Sequence, residues 1–191
     1  MLNRDFFEAG ALDVAPMLLG MLLVRSDGRV ARLVEVEAYM GQDDPGSHAY
    51  RGPTRRTATM FGPPGRMYVY FTYGMHWCAN VVCSPEGTAS AVLLRAAEPL
   101  RGLDLMRQAR WHGQRQQRDR DLCRGPARLC EAFAVTGLDD GADLLAGDRG
   151  LCLADDGASG SGSVARSRRI GLSRGADLPW RFFVPGSAWV S

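Results

Sequence analysis

The sequence predicts an α+β fold: a single domain over residues 1–191, with a curved, largely antiparallel β-sheet and helices around it. Three observations carry that expectation. Extended runs rich in β-branched and aromatic residues follow one another along the chain, with short helical stretches between and around them. The 23 glycines and 10 prolines punctuate many short elements. At 191 residues, 46% hydrophobic and 23% charged, the chain can bury a core without disulfides or metals.

The elements follow in order. Asp13 before Val14, Ala15 and Pro16 reads as an N-cap with proline near the first turn, opening a short helix through Leu19 that Gly20 ends. An extended segment starts at residues 22–24. Residues 29–39, RVARLVEVEAY, alternate as a strand. That alternation puts Leu33, Glu35, Glu37 and Tyr39 on one face and Val30, Arg32, Val34, Val36 and Ala38 on the other. Residues 40–66 hold too much Gly, Pro and charge for a regular element and form a long loop, the kind that is usually functional or disordered. Residues 68–83 read as two strands joined by a tight turn at Tyr73-Gly74, and residues 91–97 as a further strand that Pro99 ends. Residues 102–110 and 126–135 are helical, the second entered through Gly125-Pro126. Residues 111–120 are polar and expected to be mobile, and residues 157–163 form a flexible Gly/Ser loop. RIGLS and RFFVPG near the end read as two closing strands.

Composition excludes several chemistries. The chain has no lysine, so all 23 basic residues are arginine. A P-loop lysine, a kinase-type lysine, a lysine Schiff base and a pyridoxal-phosphate lysine are therefore ruled out. No apolar run approaches the ~20 residues of a membrane span. The longest candidate, residues 17–24, follows Asp5, Glu8 and Asp13, unlike a signal peptide. The expected compartment is the cytoplasm, with no membrane partner. Five cysteines (78, 83, 123, 130 and 152) lack CxxC spacing and read as buried, reduced thiols. His48, His76 and His112 form no local metal motif, so neither a structural metal nor a cofactor is expected.

The net charge is only +2, but it is unevenly spread. Residues 51–66 carry four arginines and no acid, and residues 164–181 carry five arginines against Asp177. Residues 95–128 carry nine arginines against four acids, whereas residues 131–157 carry seven acids against Arg149. Such a division fits a polyanion on one side, or simply a solvated arginine surface.

Three constellations carry chemistry. Glu37 and Tyr39 share a face at a strand end, where a carboxylate beside an aromatic has the position of a general base; the bland reading is a solvated edge carboxylate. The run YVYFTYGMHWC clusters aromatics that suit a core strand pair, except that Tyr73 sits at the turn. An exposed aromatic at a hairpin tip suits a wedge into stacked bases. Arg95 lies inside the apolar strand AVLLRAA, where arginine needs a partner. That partner is Glu35 or Glu98 in a structural ion pair, or Glu37 and a water in a functional one.

The segments LVEVEAYMG, SHAYRG, MFGPPGRMYVYFTYGMHWCANVVC, VLLRAAEPLRG, DLCRGPARLC and RFFVPGSAWVS, in this order, resemble the alkyladenine (3-methyladenine) DNA glycosylase family over nearly the whole chain. The combination of VEAY, YVYFTYGM and LLRAAEP is highly specific. The resemblance implies excision of alkylated and deaminated purines from duplex DNA without a metal. Glu37 matches the catalytic glutamate that activates water, and Arg95 the arginine that holds the water with it. A backbone carbonyl near Ile170 is expected to complete the water's coordination. Tyr39, His48 and Tyr70 match the residues stacked around the extruded base, and Asn80 the residue that crowds the exocyclic amino group of guanine. Tyr73 matches the wedge, in a DNA-contacting turn with Gly74 and Met75, while Arg51, Arg55 and Arg56 supply phosphate contacts. Thr57 stands where many relatives have asparagine, and His76 and Trp77 are assigned to packing.

The reading is therefore a monofunctional base-excision-repair enzyme, since no lysine can form a Schiff base. It acts as a nucleoid-associated monomer on duplex DNA containing damaged purines. The competing readings are a non-catalytic damaged-DNA-binding protein on the same scaffold and an RNA-binding module.

Overall fold

The structure, a computed structural model, describes residues 2–111, 117–159 and 162–191. It has eight strands and four α-helices among those residues, in an α+β arrangement. Helices α1 (Asp5–Glu8) and α2 (Ala11–Leu18) precede β1 (Leu22–Arg25) and β2 (Val30–Tyr39). Strands β3 (Met67–Thr72), β4 (His76–Cys83) and β5 (Ser90–Arg101) follow, then α3 (Leu103–Ala109) and α4 (Pro126–Ala132). The short strands β6 (Leu151–Ala154), β7 (Ala165–Ser167) and β8 (Arg181–Phe183) complete the sheet.

Every strand pairing is antiparallel, in the order β3-β4-β5-β2-β1-β6, and the sheet curls. The outer edge of β2 is shared. β1 pairs with its first residues, and β8 with residues 35–37. β7 pairs with β8 beyond that.

The core lies on one face, under α2 and α4. In α2 the buried residues Ala11, Val14, Ala15 and Leu18 follow the i, i+3, i+4, i+7 spacing of a helix face. That stripe begins at Ala11, so the helix starts after an extended Gly10 and Asp13 falls in its first turn; it is not the N-cap. α4 ends at Ala132 rather than Val135, because Ala134 turns to φ 49°. The amides of Ala134 and Val135 then bond back to the carbonyls of Glu131 and Cys130, a Schellman closure.

The long β2–β5 pair departs from simple alternation. Leu33 opposes Ala97, Glu35 opposes Ala96, and Val36 opposes Leu94, so Val34 on β2 and Arg95 on β5 are each left without an opposite residue. The two irregularities compensate, and the original register resumes at Val36. Each strand changes face there. The core takes Ala31 and Leu33, then Val36 and Ala38, from β2, and Ala97, then Leu94 and Val92, from β5. Leu33 therefore does not share a face with Glu37, contrary to the expected alternation.

Other expectations are corrected as well. Pro99 does not end β5, which runs to Arg101. β4 pairs only with residues 90–93 of β5, so near Pro99 β5 is free of β4 and a missing N–H is tolerated. RIGLS is not a strand. The closing pair is residues 165–167 with 181–183, and residues 169–170 are committed to the site described below. β6 had no distinct signal in its four residues. Residues 40–66 do form the expected long loop; within it lie two 3₁₀ turns, and Ala49 and Met60 form a small core with Tyr68, Val82, Ala89 and Ala91. Cys78, Cys83, Cys123 and Cys130 are buried and Cys152 partly so, all as free thiols. His112, half of the expected mobile segment at 111–120 (residues 112–116), and part of the 157–163 loop lie outside the described residues. Among the described residues no helix is long and apolar enough to cross a membrane, and no cluster of three or more metal-ligating groups occurs.

Candidate active site

The face of the sheet away from α2 carries a charged centre. Glu35 and Glu37 are both fully buried. Glu37 Oε2 accepts a hydrogen bond from the Tyr39 hydroxyl at 2.8 Å, and Oε1 accepts one from the Ile170 amide at 2.8 Å. Arg95 Nη1 lies 3.3 Å from Glu37 Oε1, at ion-pair distance. Arg95 Nε donates to Glu35 Oε1 at 2.8 Å. Of the two ion-pair partners proposed for Arg95 as a structural residue, Glu35 is the one used. Burial alone would lower the Arg95 pKa, but Glu37 and Glu35 outweigh it and hold the guanidinium above its ordinary value. Tyr39 is pushed well above the ordinary phenol value, first by burial and then by the Glu37 charge. It stays protonated and serves as a donor.

Tyr39 also lines a pocket with Gly46, Ser47, His48, Met60, Tyr68, Tyr70, Asn80 and Leu172. Three strands and a loop build most of it. β2 delivers Tyr39 beyond Glu37. β3 and β4 deliver Tyr68, Tyr70 and Asn80, the first two on one strand face by the two-residue period. The 40–66 loop delivers His48 and Met60. His48 meets Tyr70 edge-on at 4.5 Å between ring centroids, and its Nδ1 is 3.2 Å from the Tyr68 hydroxyl. Desolvation of the imidazole, then the Arg56 guanidinium, hold the His48 pKa below its usual 6.5. Asn80 Nδ2 donates to the Tyr68 carbonyl at 3.1 Å, which fixes the amide on the pocket wall. Arg56 lies over the Tyr70 ring, 5.6 Å from its centroid.

A second buried pair braces the pocket from behind. Arg169 and Asp44 are both fully buried and make a bidentate pair at 2.5 and 2.7 Å. Arg169 also donates to the carbonyls of Ala38 and Gly175 and stacks on Tyr39 (4.6 Å) and Trp180 (5.0 Å). A Cβ on Gly46 or Gly175 would come within 2.9 Å of its Nη2, so both positions need glycine. The pair ties the 40–66 loop to the segment whose next residue, Ile170, bonds Glu37.

The β3–β4 hairpin turns through Tyr73 (φ 51°) and Gly74 (φ 67°). Positive φ at both central residues matches a type I′ turn, and the Met75 amide closes on the Thr72 carbonyl at 3.1 Å. Tyr73 is 80% exposed and Met75 66%. Phe71 and Trp77 stack across the two strands below them, and Trp77 packs on Gly137.

The structure thus gathers Tyr39, His48, Tyr70 and Asn80 around one pocket, with Glu37 and Arg95 joined to it through Tyr39. Tyr73, Gly74 and Met75 lie apart on the hairpin tip, and Arg51, Arg55 and Arg56 are exposed on the loop. Ile170 touches Glu37 through its amide N–H, a contact additional to the carbonyl expected to hold the water. Thr57 is buried, closing a turn with Thr54, and does not face outward. The acidic stretch 131–157 is not a free acidic face: Asp139 caps residues 136–139, and Asp140 accepts from the Val69 amide and the Thr59 hydroxyl. Sequence reasoning missed Tyr68 and the Asp44–Arg169 pair. The Tyr68/Tyr70 spacing was a usable signal for the first; no local pattern marks the second.

A pocket walled by aromatic rings, joined through Tyr39 to a buried carboxylate and guanidinium, has the chemistry to hold a planar ring near acid–base groups. Residues 5–188 match the methylpurine-DNA glycosylase family, and the chain belongs to that family. A Burkholderia lata protein named "Putative 3-methyladenine DNA glycosylase" is 56% identical over 191 residues, covering 100% of this chain and 91% of its own. Proteins of the same name from Leifsonia xyli and Agrobacterium fabrum are 54% and 47% identical, over 99% and 98% of this chain and 91% of each relative.

Proposed function

We propose that this protein is a monofunctional DNA N-glycosylase of base-excision repair, which flips alkylated or deaminated purines out of duplex DNA and hydrolyses the N-glycosidic bond. The observation that carries the proposal is Glu37: fully buried, fixed by the Ile170 amide and the Tyr39 hydroxyl, ion-paired to Arg95, and adjoining an aromatic pocket. A base stacked in a duplex hides its glycosidic bond, so it must be extruded, at a cost of a few kcal/mol. Tyr73 offsets part of that cost by filling the gap left in the stack. The purine enters between Tyr39, His48 and Tyr70, where ring faces suit both neutral lesions and, by cation–π attraction, cationic ones.

Glu37 then takes a proton from water as the water oxygen bonds to the sugar C1′. The C1′–N bond breaks, and its electron pair leaves with the purine. Positive charge builds on the sugar in that transition state, and the carboxylate stabilises it. Without a lysine the products are a free base and an intact abasic strand. Asn80 excludes guanine's exocyclic amino group. The exposed arginines hold phosphates on a monomer working in the cytoplasm at the nucleoid.

The test is release of free base from duplexes each carrying one defined lesion: 3-methyladenine, 7-methylguanine, hypoxanthine or ethenoadenine. Release of at least one with an unbroken strand is expected. Tight lesion binding without release makes the protein a damage-binding module, and strand cleavage at the site overturns the monofunctional assignment.

A further inference from the structure

Glu35 is a second carboxylate, as deeply buried as Glu37, for which the reaction as derived has no use. Its Oε1 accepts hydrogen bonds from Arg95 Nε at 2.8 Å and from Arg181 Nε at 2.7 Å, and its Oε2 accepts the Ser191 amide at 2.6 Å. Arg95 Nη2 donates to Ser191 Oγ at 3.2 Å. A guanidinium is planar, so pinning its Nε and Nη2 edges fixes where Nη1 points. In this protein Nη1 points at Glu37 Oε1, 3.3 Å away. Arg95 is thus hydrogen-bonded to Glu35 and held at ion-pair distance from Glu37.

We propose that Glu35 is a positioning residue for base excision: it aims Arg95 at Glu37 and divides the guanidinium's charge between two carboxylates, with Arg181 balancing the surplus. The proposal rests on the reading of Glu37 as the base. The two arginines offset the charges of the two acids, which suits their burial, and Arg181 also donates to the Ser191 main-chain oxygen at 3.2 Å. Around Glu37 stand Arg95 from β5, Tyr39 from β2, Tyr70 from β3, Cys78 from β4 and the Ile170 amide. Around Glu35 stand Arg95, Arg181 from β8 and the Ser191 amide. Removing the Glu35 charge leaves Arg95 paired with Glu37 alone, and leaves Arg181, opposite Glu37 in the β2–β8 register, without its carboxylate. That favours the ionised form of Glu37 and makes it a weaker base. Removing the Arg181 charge acts the other way.

The two substitutions therefore predict opposite displacements, an ordering that a purely structural role does not produce. The experiment measures single-turnover base release against pH, and lesion-duplex Kd, for the wild type, Glu35→Gln, Arg181→Gln and Glu37→Gln. Glu35→Gln is expected to slow release by about 10²-fold through a misaimed Arg95, with Kd unchanged. Its acid limb should move to lower pH by about one unit, while that of Arg181→Gln moves to higher pH. Independently of activity, the hydrogen-bonded Nε–H of Arg95 should give a slowly exchanging ¹⁵N-correlated signal that Glu35→Gln abolishes. Normal release by Glu37→Gln overturns the function itself. An inactive Glu37→Gln beside unmoved or like-signed acid limbs overturns only the role of Glu35. Should Glu35→Gln fail to fold, Arg181→Gln decides alone: an unmoved acid limb overturns the proposal.

Discussion

The charged floor beside the pocket, built by Glu35, Glu37 and Arg95 and joined to the pocket through Tyr39, and the tip of the β3–β4 hairpin are built in opposite ways. At the floor Glu35 and Glu37 are fully buried, and every carboxylate oxygen has a donor. At the tip Tyr73 is 80% exposed and sits at φ 51°, a conformation that costs a non-glycine residue roughly 1–2 kcal/mol. The floor must hold its geometry before substrate arrives, because bond breaking is sensitive to sub-ångström placement. In the proposed function the tip must reach into a partner larger than the pocket, a role that its exposure and local strain suit.

The sharpest way to break this contrast is at the floor. Glu37→Gln keeps shape and removes the base, so base release should fall by about 10²–10⁴ while lesion-duplex binding persists. Single-turnover excision and a gel-shift assay on the same preparation check it. Next is the brace behind the pocket. Arg169→Met leaves the fully buried Asp44 carboxylate without its charged partner, with only the Met40 and Gly46 amides as donors, and should cost about 3–5 kcal/mol of stability in urea unfolding.

The floor also predicts a pH dependence. Burial alone would raise the Glu35 pKa, but Arg181, Ser191 and Arg95 outweigh it and hold the carboxyl below its ordinary 4.5. Its stabilising contribution is therefore complete above pH 4.5 and lost as pH falls through the lower folded value. Glu35→Gln should flatten stability against pH in that acidic window, as urea midpoints at stepped pH will show.

At the tip the expected sign reverses. Tyr73→Gly relieves the left-handed strain and should raise stability by about 1 kcal/mol, yet lose about 1–3 kcal/mol of discrimination between lesion and undamaged duplex. Thermal melts and competition binding would separate the two effects. The smallest effect belongs to the exposed loop. Neutralising Arg55 or Arg56 should lower the log–log salt slope of duplex binding by about 0.9 each, equally for damaged and undamaged DNA. A salt titration of both duplexes checks this.

Sequence made the tip legible and the floor only partly so. The Tyr73-Gly74 turn, the β3–β4 pair and the β2 strand follow from local chemistry within a few residues. Glu37 and Arg95 stood out because charge inside an apolar strand is conspicuous. The site's remaining supports are long-range and leave no local trace. Asp44 and Arg169 are 125 residues apart, and the Ile170 amide meets Glu37 only because residues 169–170 leave the expected strand. Alternation on β2 misled for a similar reason: nothing within that strand reveals that Val34 will lack an opposite residue. The acidic stretch misled because charge counts do not distinguish a solvated aspartate from one capping a turn, as Asp139 does.

The unmatched Val34 and Arg95 behave like a frameshift and its suppressor. Struck out together, they leave β2 reading Leu33-Glu35-Val36-Glu37-Ala38 against Ala97-Ala96-Leu94-Leu93-Val92, an uninterrupted in–out alternation with every core residue already in phase. Either letter struck out alone would put one strand out of phase with the other for the rest of its length. From Leu33 to Ala38 the scaffold is thus a regular ladder into which one letter per strand has been inserted, and one of those two letters is the arginine that faces Glu37.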